Sequence, residues 1–226
     1  SITIASGGEF GLGNARFKTS TNRAPRKTTD GKVGEDRQLK IVLKVLADVG
    51  LIGLPNVGKS SILASISMAK PKIANYAFTT IHPNLGVVLI SDYEKFVVAD
   101  LPGLIVGASK GAGLGIQFLK HISRTKLLLH VIDVSKNQLD QIMKDVDIIA
   151  KELKDYDKEL SQKDKWYVFN KVDLLNEGDL EKLKIHIADK IKVKTYFTSA
   201  VDKFGLNELC EDIIEYLRDE ISDEKI

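Results

Sequence analysis

Residues Gly53-Leu54-Pro55-Asn56-Val57-Gly58-Lys59-Ser60 keep the spacing G-x-x-x-x-G-K-[ST]. Glycines in such a loop keep side chains out of the way, so that backbone N–H groups can surround a phosphate chain. The lysine ammonium can neutralise β- and γ-oxygens, and the Ser60 hydroxyl can take a position on magnesium. A helix expected to open here adds the positive end of its dipole, and Ser61, next along it, joins the phosphate-binding set. A loop that merely turns a strand into a helix needs neither the lysine nor the paired glycines. The pattern predicts a phosphate site.

Three more groups follow in chain order. Asp100-Leu101-Pro102-Gly103 ends an apolar stretch, where an aspartate can reach a phosphate-bound magnesium through water and a glycine N–H can meet the γ-phosphate. Asn170-Lys171-Val172-Asp173 ends another. The Asp173 carboxylate can accept hydrogen bonds from guanine N1–H and the 2-amino group, neither of which adenine supplies. Alone, that tetrapeptide also suits an ordinary polar turn; behind a phosphate loop it reads as a base site. Thr198-Ser199-Ala200 then brings a backbone N–H, that of Ala200, to where guanine O6 would lie, with Val201 following.

Elements must position these groups. Ala47–Leu54 reads as a buried strand, and Ser60–Met68 has helical composition and spacing. Leu85–Ile90 and Phe96–Asp100, joined by the polar turn Ser91–Lys95, predict a hairpin. Leu127–Val134, Lys165–Asn170 and Lys194–Thr198 read as strands, alternating with helices over Gln138–Leu153, Leu180–Ile191 and Leu206–Arg218. Strands alternating with helices predict an α/β fold, a mostly parallel sheet covered on both faces as in P-loop NTPases. A strand is also expected over Leu39–Val45, where apolar and polar residues alternate.

The first 38 residues differ in texture. Six of the 17 glycines lie between Gly7 and Gly34, which predicts turns and short extended pieces rather than a side-chain core, with disorder as the alternative. Of 33 Lys/Arg and 31 Asp/Glu, nine and four fall in residues 1–44, so that segment carries +5 and the remainder −3. The shift marks a domain boundary near residue 46, giving domains 1–46 and 47–226. At 226 residues the chain is long enough to fold without staples, and its single cysteine, Cys210, excludes an internal disulfide and fits a reducing compartment. The longest apolar runs fall far short of a bilayer span, so no membrane role is expected. Four scattered histidines offer no metal-ligand spacing: His130 reads as a core residue, His121 and His186 fall on helices, and Pro83 follows His82.

The chain resembles the Obg family of bacterial and organellar GTPases. Beyond the nucleotide motifs, Asn75-Tyr76-Ala77-Phe78-Thr79-Thr80 with Pro83-Asn84-Leu85-Gly86-Val87-Val88 is similar to the first switch of that family. Gly11-Leu12-Gly13-Asn14 and Thr19 to Pro25 are similar to the last part of its glycine-rich domain. That domain extends further on its N-terminal side in the family, so the resemblance implies a fragment here; the family's variable C-terminal domain is not seen after Ile226. The resemblance implies that Phe78, Thr79, Thr80, Ile81 and His82 form the first switch. It makes Thr80 the threonine that closes on magnesium; the residues alone leave Thr79 and Thr80 equal. Lys59, Thr80, Asp100 and Gly103 become the catalytic set, Ser60 and Thr80 the magnesium ligands, and the Lys171 stem lies over the base plane. It also implies a switch between GTP and GDP acting in large ribosomal subunit assembly, on rRNA and protein, and a link to the stress nucleotide ppGpp. The protein is expected to be cytoplasmic and monomeric.

One departure bears on mechanism. The residue after Gly103, where Ras-like GTPases orient water with a glutamine, is Leu104, and no arginine lies in residues 74–84. Slow intrinsic hydrolysis, speeded by a partner or an ion, is therefore expected. Asn56 resembles the potassium-binding asparagine of related GTPases and equally suits a loop residue bonded to its own backbone. The rival reading is a nucleotide-occupancy sensor that docks on a protein, with hydrolysis incidental.

Overall fold

Apolar residues at every position of Leu127–Leu129 and Val131–Ile132 can be buried only if both sides of the strand are covered, and they are. The structure, a computed structural model, describes residues 3–39, 47–73, 84–100, 125–136, 138–156 and 158–223. The chain divides into two compact units, Ser1–Leu43 and Lys44–Ile226.

The second unit is built on a seven-stranded sheet: β1 (Val49–Ile52), β2 (Lys72–Ile73), β3 (Asn84–Ser91), β4 (Glu94–Asp100), β5 (Leu127–Asp133), β6 (Lys165–Asn170) and β7 (Thr195–Thr198), in the order β2-β3-β4-β1-β5-β6-β7. β1 pairs in parallel with β4 and β5, and the parallel run continues through β6 to β7. The β3–β4 hairpin and the short β2 are antiparallel. The described helices are α1 (Lys59–Ile66), α2 (Leu139–Tyr156), α3 (Lys158–Gln162), α4 (Glu177–Lys190) and α5 (Leu206–Asp223).

Side-chain alternation assigns the two faces. Val49, Leu51, Leu127, Leu129 and Val131 share a core with Ile62 and Leu63 of α1 and with Leu206, Leu209, Ile213 and Leu217 of α5. Opposite, Ile52 and Leu128 pack on Ile149 and Leu153 of α2, while Ile132 and Phe169 pack on Ile142, Val146, Leu183 and Ile187. Positions 142, 146, 149 and 153 recur at helical spacing, which is why α2 forms and which face it buries. Asn176 caps α4, its side-chain oxygen accepting from the Asp179 N–H at 2.8 Å. The expected hairpin, the strands expected from residue 47 onward and the mostly parallel sheet are all present. β2 and α3 were not foreseen, and the expected strand over Leu39–Val45 falls, save Leu39, outside the described residues. No helix among the described residues is long and apolar enough to cross a membrane.

Two buried groups in this core are chemically quiet. Burial pushes the Cys210 thiol up to about 12. Burial, with repulsion from Lys165 and Lys59, brings His130 down to about 3. His130 therefore stays neutral in the folded chain but protonates near pH ~6.5 when unfolded. Its contribution is fully present above that pH and is lost as pH falls toward the folded value. Between pH 7.5 and pH 5, urea titrations of the native protein should lose about 2 kcal/mol more than those of His130→Leu, at ~1.4 kcal/mol per pH unit. Equal losses would mean that another group carries the acid sensitivity.

In the first unit a backbone ladder joins two segments, with the Thr29 and Glu35 side chains adding bonds to the Leu12 and Ser6 N–H groups. Thr29, Lys32 and Glu35 N–H groups donate to the carbonyls of Leu12, Glu9 and Ser6 at 3.0, 2.7 and 2.9 Å. The bonds step by three residues on both segments, which is the period of a polyproline-II chain; a strand ladder steps by two. Chains this close leave no room for side chains: a Cβ on Gly8 would lie 1.8 Å from the Lys32 carbonyl oxygen, and one on Gly11 2.0 Å from that of Thr29. The glycines are there for close approach as much as for turning. A short 3-10 helix, Asn14–Phe17, follows the first segment.

Candidate nucleotide site

The parallel strands end side by side, and the loops leaving them carry the expected residues, as open α/β sheets require of their binding sites. β1 leads into the Gly53–Gly58 loop, and α1 begins at Lys59 directly behind it. Gly58, the residue before α1, has φ 98°, and a Cβ there would sit 2.3 Å from Asn170 Nδ2. Position 58 therefore needs glycine for both conformation and space. Asn56 is left-handed at φ 65°, which asparagine tolerates better than most residues.

Lys59 Nζ donates to the carbonyls of Gly53 at 3.0 Å and Leu54 at 2.9 Å, so the ammonium is held against its own loop. Burial depresses its pKa, and the nearby Asp100 charge acts in the opposite direction. The Ser60 hydroxyl donates to Asp100 Oδ2. Asp100, at the end of β4, is only 2% exposed, and its other oxygen, Oδ1, is buried with no hydrogen-bond partner among the described residues. A buried carboxylate oxygen left open beside a serine hydroxyl and an ammonium is a place for a donor or a cation.

The residues expected at the base site are brought to the same end. Asn170 is buried; its Nδ2 donates to the Val57 carbonyl at 2.9 Å, and its Oδ1 accepts from Thr198 Oγ1 at 3.3 Å. Its side chain thus ties the Gly53–Gly58 loop to the last two strands. Lys171 is left-handed, φ 71°, and opens a 3-10 turn, Val172–Leu174, that leaves the Asp173 side chain exposed. Lys171 Nζ lies 2.6 Å from Asp133 Oδ2 at the end of β5. The loop after β7 is fixed at three points. Ser199 N–H donates to the Phe204 carbonyl at 3.1 Å, Asp202 N–H to Ser199 Oγ at 3.1 Å, and Ser65 Oγ of α1 to the Ala200 carbonyl at 2.7 Å. Val201 is exposed.

Leu54, Pro55, Val57 and Ser61 lie on this same loop and first helical turn. Phe78, Thr79, Thr80, Ile81, His82, Leu101, Pro102, Gly103 and Leu104 lie outside the described residues. Asp133 and Ser65 were missed by sequence reasoning. The available signal for Asp133 was its place at a strand end in the row that also holds Asp100 and Asn170; Ser65 had none.

A family described as 50S ribosome-binding GTPase matches residues 48–171, over half of the chain, and one described as GTP1/OBG matches residues 1–45. Solved structures of similar fold include the G domain of the T. maritima FeoB iron transporter. It is 22% identical at TM-score 0.53, over 75% of this chain and 97% of that one. The cytosolic domain of the same transporter in its GMPPNP form is 21% identical at TM-score 0.54, over 76% of this chain and 64% of that one. Aquifex aeolicus Era bound to GDP and aluminium fluoride is 24% identical at TM-score 0.54, over 75% of this chain and 56% of that one. This chain thus spans less than two thirds of the last two, and at these identities the likeness is one of fold. A P-loop G-domain fold, the phosphate loop on β1 and the family match lead to one conclusion: the chain belongs to the 50S ribosome-binding GTPase family and is a GTP hydrolase that binds guanine nucleotides.

Proposed function

We propose that the chain is an Obg-type GTPase, a GTP/GDP switch in large ribosomal subunit assembly and stress-linked growth control, working as a cytoplasmic monomer. The observation that carries this reading is the GTP1/OBG match over residues 1–45, directly ahead of the GTPase match that starts at 48. Residues 1–46 are then the last part of a glycine-rich Obg-type domain and 47–226 the G domain. Charge supports an RNA-facing role for the first unit. Arg16, Lys18, Arg23, Arg26 and Lys27 are all exposed, and residues 13–29 hold no Asp or Glu.

In the G domain, Gly53 to Ser61 hold the phosphates and Lys59 neutralises β- and γ-oxygens. Asn170 to Asp173 and Ser199 to Val201 hold guanine. Phe78 to His82 act as the first switch, and Asp100 to Gly103 sense the γ-phosphate. Magnesium fits the residues present. Ser60 and the open Asp100 Oδ1 suit an ion that arrives with the nucleotide's own oxygens. Ser60 and Thr80 would be its ligands, with Asp100 acting through water; bound there, the ion offsets charge on the phosphates. Leu104 cannot orient water, which keeps a second reading in view, a sensor of GTP, GDP or ppGpp with incidental hydrolysis.

Turnover and ribosome binding test these together. Intrinsic hydrolysis should run near ~10⁻⁴ to 10⁻³ s⁻¹, as in an unassisted small GTPase. If Asn56 helps place potassium, exchanging sodium for potassium accelerates it and Asn56→Ala removes the difference. Equal rates in both salts would leave a partner-supplied group. The full chain should co-sediment with large ribosomal subunits with a non-hydrolysable GTP analogue more than with GDP, and salt should weaken the complex. Nucleotide-independent sedimentation, or none, would overturn the ribosomal reading.

A further inference from the structure

Asp133 belongs to none of the nucleotide motifs, yet it stands beside the base loop. It is the last residue of β5 and pairs in register with Asn170, the last residue of β6; the Val134 N–H donates to the Asn170 carbonyl at 3.1 Å. Its two carboxylate oxygens have separate tasks. Oδ1 accepts from the Ser135 N–H at 2.9 Å, which fixes the carboxylate to its own turn, and Oδ2 accepts from Lys171 Nζ at 2.6 Å. Lys171 meanwhile holds a left-handed backbone, φ 71° and ψ 37°, that residues with a side chain rarely adopt. The side chains of this pair are 31% and 20% exposed, so it is neither a loose surface contact nor a sealed one. Burial alone would raise the Asp133 carboxyl, but the hydrogen bonds from Lys171 and Ser135 outweigh it and keep the group ionised.

We infer that Asp133 is a positioning residue of the base site, which grips the Lys171 ammonium so that the lysine stem is presented, already ordered and charge-neutralised, as the surface on which the guanine ring lies. The inference rests on Asn170–Asp173 being the base loop. Its physical content has two parts. A lysine stem has several rotatable bonds, and a stem already fixed at both ends loses little freedom when a ring covers it. An ammonium without a partner would have to shed water as the ring arrived, whereas one already bonded to a carboxylate has given up that water on folding. Asp133 thus acts on guanine through Lys171 and not by contact.

The test uses the full chain and a fluorescent GDP, with dissociation and association rates measured for Asp133→Ala, Asp133→Glu, Lys171→Met and the Asp133→Ala/Lys171→Met double variant. Asp133→Ala should speed dissociation about tenfold, the scale of one charge-assisted hydrogen bond, with association changed less than about twofold. Asp133→Glu should recover part of the loss. In the Lys171→Met background, adding Asp133→Ala should change dissociation by less than about twofold, because the group it positions is gone. GDP and inosine diphosphate should be weakened by the same factor, since a ring face is being held and not the 2-amino edge. Unchanged dissociation in Asp133→Ala, or a full tenfold effect persisting in the double variant, overturns the inference. If Asp133→Ala melts early, Asp133→Asn is used in its place; it keeps an acceptor for Ser135, removes the charge, and must show the same masking by Lys171→Met. Asp173→Asn runs beside these. If it leaves guanine preference intact, the base-loop reading has failed; if it does not and Asp133 is silent, only this inference has.

Discussion

Lys59→Ala should lower single-turnover GTP hydrolysis by at least about a hundredfold, the largest effect on the rate of hydrolysis expected of any single change here. The ammonium sits over the phosphate loop, bonded at 3.0 and 2.9 Å to the carbonyls of Gly53 and Leu54, where a phosphate chain would meet it. Partial burial already disfavours its charge, and Asp100 offsets only part of this. Such a charge is pre-placed and only partly hydrated, so it acts on phosphate oxygens more strongly than the same group would in water. Removing one donor aimed at developing charge costs about 10² to 10³ in rate. Stability should change little, because the deletion also removes a partly buried charge. The check is a rapid-quench time course at saturating GTP and magnesium, with thermal melting alongside. A rate within tenfold of the native protein, at an unchanged melting temperature, would take Lys59 out of the chemistry. Lys59→Arg should not rescue it, since the guanidinium is a planar fork and the loop holds a compact ammonium through two carbonyls.

What could be read from the sequence was whatever local pattern controls. Lys165–Asn170 is a strand at its expected residues because every second side chain meets a covered face, and the α2 stripe was visible for the same reason. The phosphate loop was legible because its glycines answer to backbone geometry within eight residues. β2 was not legible: two residues carry no period, and Lys72 and Ile73 form a strand only because Leu85 and Asn84 are there to pair with. The first unit was half legible. Its glycine density was plain, but Gly8 and Gly11 are spaced three apart, as are Gly31 and Gly34, and the backbone bonds step by three with them, a period that a search for turns passes over. Within the site, Ser65 and Ala200 meet across 135 positions and Lys171 and Asp133 across 38. No spacing rule reaches that far, so the motifs were found and the residues that brace them were not. The switch residues Thr80 and Gly103 stand on sequence and resemblance.

Asp173→Asn should weaken GTP binding by about 10² to 10⁴ and shift the preference to xanthine nucleotides. The Val172–Leu174 turn leaves the Asp173 side chain exposed, and Lys171 beside it is held by Asp133, so the loop is set before any base arrives. Guanine presents two donors on one edge, N1–H and the 2-amino group, and a carboxylate is the one side chain that accepts both in parallel. Each such charge-assisted bond contributes about 1.5 to 3 kcal/mol, which together give the stated range. The amide of Asn can accept from N1–H but meets the 2-amino group with a second donor. Xanthine carries a carbonyl at that position, so the same amide makes both bonds. The other end of the same edge decides what else can bind. Ser65 donates to the Ala200 carbonyl at 2.7 Å, which fixes the peptide that follows Ala200, and the Ala200 N–H, one peptide earlier, suits the O6 that guanine and xanthine share and adenine lacks. The variant should therefore gain xanthine nucleotides and not ATP. Competition of GTP, XTP and ATP against a labelled nucleotide measures all three. An intact guanine preference would remove Asp173 from the base site. A gain of ATP would instead mean that the Ala200 loop does not read O6, and that selectivity against adenine had rested on Asp173 alone.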